Sequence, residues 1–218
     1  MASLANQCVS HGDKRYPQCL LDQLALWAAA DALTAHTIDP RLGASNQAWF
    51  QSEWTIAAAA LALSQVVHEP ALDAARLDSV IAWLHRAWLE QISYAGGPAT
   101  CCNNHAYWRG LQATLEGVLA NDQTLFRWGL GRYALAIDHL VAVGDDAQWP
   151  LEMARKELAL HYHNFALLPL VLMAEIAPQQ GLELYAYQAA GRDLHSAVRL
   201  VAKTWHAPAS WPALGLIK

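Results

Sequence analysis

Apolar residues recur at helical spacing along almost the whole chain. Leu21, Leu24, Ala25, Ala28 and Ala32 share one face and predict a helix over 20–37. Residues 40–45 are rich in turn formers and break it. An alanine-rich helix is expected over 52–67, and Pro70 allows a new start. Leu77, Val80, Ile81, Leu84 and Trp88 form the apolar face of the next helix, over 72–92. Gly96-Gly97-Pro98 is a loop signal. Helices are expected over 105–119 and 122–143, separated by Asn121-Asp122, which ends one and caps the next. Gly144-Asp145-Asp146 closes the second of these. Pro150 suits the first turn of a further helical stretch. Pro169, inside an apolar run, is expected to bend or restart its helix. Gly191-Arg192-Asp193 precedes a last helix reaching about Lys203. No strand alternation stands out, and 208–218 show no periodicity.

Successive helices joined by short loops imply antiparallel helical hairpins in an all-α domain. There are too many for a four-helix bundle. The expected architecture is a curved stack of hairpins, an incomplete α/α toroid, over 1–203, followed by an irregular tail over 204–218.

Composition narrows the function classes. Of the 218 residues 55% are hydrophobic and only 15% charged, so neighbouring helices should cover much of each other. A net charge of −5 provides no broad basic field for nucleic acid or an anionic membrane. No apolar stretch is long enough to span a bilayer. The first residues lack the basic start and apolar core of a signal peptide. Ten Trp against three Phe is a skewed choice of aromatics. Core packing explains most of them, and indoles lining a cleft for sugar rings is the alternative. Four cysteines (Cys8, Cys19, Cys101, Cys102) match neither a disulfide-dense scaffold nor a spaced zinc site. A bond between Cys101 and Cys102 would close a small ring, because adjacent Cα atoms lie about 3.8 Å apart. It requires an oxidising compartment and would stiffen the approach to His105.

Two dense polar runs stand out. Residues 101–108 pack two thiols, two amides, an imidazole, a phenol and an indole together. Residues 155–164 carry Arg155, Tyr162 and two histidines. On a continuous helix Arg155 and Tyr162 would be two turns apart and share a side. A guanidinium beside a phenol favours proton transfer by the phenol, and a tyrosine packed on a surface arginine is the plainer reading. His105 fits a base, a ligand or a buried structural histidine. His161 and His163 would point to different faces, which argues against a metal site. Glu53, Glu152 and Asp193 are candidate carboxylates for glycoside hydrolysis, but nothing pairs them. No nucleophile elbow and no phosphate-binding loop occurs.

Asn103-Asn104-His105-Ala106-Tyr107-Trp108 resembles the Asn-Asn-His-x-Tyr-Trp motif of the mannuronate-specific alginate lyases of polysaccharide lyase family 5. The likeness extends through Trp27 to Leu33, Gln47 with Trp49 to Trp54, Leu125 to Tyr133, Glu152, Arg155, and Leu160 to Asn164, in family order. It covers about 4–201. The resemblance implies an α/α toroid and metal-independent β-elimination of alginate, with no cofactor. Residue by residue, it implies that Asn104, His105 and Arg155 neutralise the sugar carboxylate and acidify the adjacent C5 proton. It implies that Tyr162 protonates the leaving glycosidic oxygen, with Tyr162 or His105 taking the C5 proton. Gln47 and Trp54 match substrate-binding positions, and Cys101-Cys102 matches a vicinal cysteine pair. Cys19 matches a cysteine whose partner lies upstream of this chain. The expected partner is an anionic, mannuronate-rich polysaccharide, with no nucleic acid or membrane, acted on by a periplasmic monomer. Family members extend beyond this chain at both ends. The expectation is therefore a partial domain without the family's lid loop and closing segment, with a chain that only binds uronate polymers, or is inactive, as the alternative.

Overall fold

The computed structural model describes residues 2–13, 15–36, 47–93 and 100–207. Nine α-helices occur among them: α1 (Ala2–His11), α2 (Arg15–Ala29), α3 (Gln47–Ser64), α4 (Ala74–Ser93), α5 (Asn104–Leu119), α6 (Gln123–Asp138), α7 (Pro150–Met153), α8 (Ala159–Ile176) and α9 (Leu194–His206). The sequence-based expectations for 40–45, for Gly96-Gly97-Pro98 and for 208–218 lie outside the described residues. The all-α class holds. Two compact units divide the chain, one of 1–95 with 112–128 and one of 96–111 with 129–218; the divisions fall inside α5 and α6.

In the first unit α2 packs on α1 and α4, and α3 on α1 and α4. Leu20, Leu21 and Leu24 of α2 and Ile56 of α3 are fully buried. Trp83 is buried too, edge-on to Trp27 with centroids 6.2 Å apart, and its indole N–H donates to the Ala32 carbonyl at 2.7 Å. That bond satisfies the single polar atom that makes a buried indole costly. Helix α2 ends at Ala29, well before the expected residue 37. Asp31 and Leu33 both take left-handed φ values, 47° and 62°, which stop the helix. Asp31 accepts from the Thr34 hydroxyl at 2.8 Å and pairs with Arg86 at 2.9 Å.

In the second unit α8 packs on α7 and α9, and α9 on β2. One expected element is corrected here. The helix expected over 122–143 ends at Asp138, and a hairpin follows, Val141–Val143 (β1) against Asp146–Gln148 (β2). Gly144, at φ 59°, supplies the tight two-residue turn, and β-branched Val141 and Val143 lie in the strand before it. Alternation over three residues is too short to detect against helical periodicity. Asp146, 5% exposed, accepts from Lys203 at 2.5 Å and Arg199 at 3.3 Å, which ties β2 to α9. Pro169 does not restart its helix: α8 runs through it. Helix α9 continues to His206, three residues into the stretch read as an irregular tail.

Candidate active site

The second unit holds Asn104, His105, Arg155 and Tyr162. Asn104 is the first residue of α5, and His105 follows it. Where a helix begins, backbone N–H groups lack intrahelical partners. Here a side chain supplies one: the Asn104 N–H donates to Glu152 Oε1 at 2.8 Å. The Asn104 side-chain amide donates to the same carboxylate, at 3.0 Å to Oε1 and 3.1 Å to Oε2. Asn104 and Glu152 are both fully buried. Burial pushes the Glu152 carboxyl up, while the Asn104 hydrogen bonds and then the charges of Arg155 and His105 pull it down; burial prevails. A carboxylate at a helix start is also favoured by the helix dipole.

The turn before α5 is held from several sides. Cys101 and Cys102 are bonded to each other. The Cys102 carbonyl accepts from the Tyr107 hydroxyl at 3.3 Å and lies 3.4 Å from His139 Nδ1. Asn103 Oδ1 accepts from the His105 N–H at 3.2 Å. The Arg109 guanidinium, 8% exposed, donates to the Thr100 carbonyl at 2.7 Å and the His105 carbonyl at 3.3 Å. His105 itself is 8% exposed. Of the other cysteines, Cys8 is buried, Cys19 is exposed, and both are free thiols.

Arg155 and Tyr162 do meet, though not on one continuous helix. Helix α7 ends at Met153; a 3-10 turn over Lys156–Leu158 follows, and Tyr162 lies in the first turn of α8. Lys156 takes a left-handed φ of 56°, which breaks the helical path after Arg155. The break folds the guanidinium over the phenol ring, 4.0 Å from its centroid. Contact is therefore with the ring face, a cation–π arrangement worth about 0.5–2 kcal/mol. Arg155 is exposed and Tyr162 half-buried.

Aromatic packing joins the starts of α5 and α8. Trp149 lies between Tyr107, at 5.9 Å, and His163, at 5.7 Å, and its indole N–H donates to the Ala136 carbonyl at 2.8 Å. Trp108 packs on Phe165 at 5.2 Å. His163 is a structural histidine. Its Nε2 accepts from the Trp149 N–H at 3.1 Å, so the proton sits on Nδ1 and donates to the Ala159 carbonyl at 2.9 Å. Burial lowers its pKa to about 4.

Gln47 and Trp54 belong to the first unit. Gln47 is the exposed first residue of α3, and Trp54 lies half-buried two turns on. Sequence reasoning missed the contact of Glu152 with Asn104. Glu152 appeared as one unpaired carboxylate among several and as a match to the family's order, and that contact was not legible because the two are 48 residues apart.

Fold and sequence are similar to those of known proteins. The alginate lyase family profile matches residues 1–211. A polysaccharide lyase of Stenotrophomonas maltophilia is 34% identical over 188 residues, 85% of this chain and 54% of that protein. An alginate lyase of Pseudomonas syringae pv. syringae is 29% identical over 185 residues, covering 84% and 48%. Alginate lyase A1-III from Sphingomonas species A1 superposes with a TM-score of 0.85 at 46% identity, covering 95% of this chain and 57% of that one. A variant of alginate lyase A1-III complexed with tetrasaccharide has a TM-score of 0.86 at 44% identity, covering 95% and 56%. These neighbours have the α/α-toroid fold class that the sequence predicts. The chain spans about half the length of the curated relatives it matches. It belongs to the alginate lyase family.

Proposed function

We propose that this chain is an alginate lyase that cleaves mannuronate-rich chains by β-elimination, using side chains rather than a metal. The observation that carries the reading is the Arg155–Tyr162 contact, 4.0 Å from guanidinium to ring centroid, in the same unit as Asn104-His105. A uronate carboxylate bound beside Arg155 and His105 is neutralised there, which makes the C5 proton more acidic. Tyr162 or His105 takes that proton. The C5–H electron pair forms the C4–C5 double bond, the C4–O4 bond breaks, and O4 leaves with a proton from Tyr162. Gln47 and Trp54 are the sugar-contacting candidates of the first unit. The bonded Cys101–Cys102 pair supports export to an oxidising compartment, the periplasm.

Incubation with polymannuronate should generate an unsaturated uronate end, read as new ultraviolet absorbance. Tyr162→Phe should remove at least about 99% of that rate, within the usual yield of a positioned proton donor. Full activity in the phenylalanine variant would overturn the role of Tyr162, and no absorbance with the parent chain would overturn the lyase reading. The half-length match to relatives favours one second reading, a chain that binds uronate polymer without cleaving it. Retention on immobilised alginate without new absorbance would establish that instead.

A further inference from the structure

Glu152 is a buried carboxylate that touches both sides of the candidate site. On one side it accepts three hydrogen bonds from Asn104, one from the backbone and two from the side-chain amide. On the other, its own carbonyl accepts from the Arg155 N–H at 3.1 Å. One residue thus links the start of α5, carrying Asn104-His105, to the turn that carries Arg155. Both Glu152 oxygens accept from the Asn104 amide, which therefore turns its NH2 toward the carboxyl group. Asn104 Oδ1 is buried and has no partner among the described residues. An amide that pays for an orphaned acceptor has its orientation dictated by its neighbour rather than by its own hydrogen bonding.

We infer that Glu152 is a positioning residue for the elimination: it sets the orientation of the Asn104 amide and holds Asn104-His105 in register with Arg155. The inference rests on the lyase reading above. Glu152 touches no substrate atom in this scheme and supplies no proton. Its importance is geometric, and a displacement of about 1 Å in such a constellation costs on the order of a hundredfold in rate.

The test uses the full chain, with polymannuronate as substrate and thermal unfolding measured alongside. Glu152→Gln keeps the shape and the acceptor for the Asn104 backbone N–H, but turns an NH2 toward the Asn104 amide. Folded protein with kcat about a hundredfold lower and KM changed only a few-fold is expected. Unchanged kcat would overturn the inference. The double variant Glu152→Gln with Asn104→Asp reverses the side-chain donor and acceptor: the NH2 of the introduced glutamine donates to the new carboxylate, and the glutamine Oε1 still accepts from the backbone N–H of residue 104. It places the negative charge on residue 104, next to His105, where an anionic sugar must be received. Recovery of the melting temperature without recovery of kcat is expected, and this readout stands even if the single variant folds poorly. Recovery of both would reduce Glu152 to a structural role and overturn the inference. A parent chain inactive on polymannuronate would remove the lyase reading, and this inference with it. An active parent with an equally active Glu152→Gln removes only the latter.

Discussion

His163 makes the stability of this chain depend on pH in a calculable way. Its imidazole is fully buried, held neutral between the Trp149 N–H and the Ala159 carbonyl. Charging it would place a second N–H against the Trp149 N–H and leave a buried cation. Burial accordingly lowers its pKa from 6.5 to about 4. The folded state binds the proton less readily than the unfolded state does. The stabilisation is therefore fully present above the unfolded value, about 6.5, and is lost as pH falls through about 4. At about 1.4 kcal/mol per pKa unit, the whole difference amounts to about 3 kcal/mol, with about 2 kcal/mol already gone near pH 5. For a chain of this size that is a fall in melting temperature of about 4–8 °C. The measurement is thermal unfolding of the parent and of His163→Gln between about pH 7.5 and 5. Glutamine retains an acceptor for the Trp149 N–H but cannot titrate. The parent should lose about 2 kcal/mol more than the variant across that interval. Parallel curves would refute the assignment, since all other titrating groups are common to both proteins.

Arg155→Lys should lower lyase activity about tenfold or more, because an ammonium lacks the flat face that lies on the Tyr162 ring; equal kcat/KM in the two proteins would refute the need for ring contact. Gly117→Ala should destabilise by about 1–3 kcal/mol in urea unfolding despite the better helix propensity of alanine. A Cβ there would lie 2.5 Å from the Phe126 backbone nitrogen, an approach between α5 and α6 that only glycine allows, and a more stable variant would contradict it.

Much of the fold was readable because its local signals are self-contained. Asp122 caps α6 through the Thr124 and Leu125 N–H groups at 2.8 and 3.0 Å, as Asn121-Asp122 suggested. Asp193 and Ser196 form a reciprocal capping box at the start of α9. Helix α1 escaped notice, and α3 begins at Gln47, five residues before the expected start at Ser52. The apolar Trp49-Phe50 pair belongs to that first turn, where ring packing at 5.1 Å contributes alongside periodicity. The hairpin over 141–148 was invisible because two three-residue strands carry almost no period of their own.

The site divides the same way. Residue types picked out the two dense polar runs, 101–108 and 155–164, since such runs in an apolar chain need a reason to exist, and the resemblance to the alginate lyases chose Asn104, His105, Arg155 and Tyr162 within them. Sequence alone also determined the all-α class, the caps and the neighbouring thiols, all of which depend on residues within a few positions of one another. Tertiary structure decided what those residues do to each other. It set Arg155 on the face of Tyr162 by way of a left-handed Lys156, made His163 a neutral strut, and brought Glu152 across 48 residues to hold Asn104. Such pairings depend on where separate helices come to rest, and no periodicity along the chain encodes that.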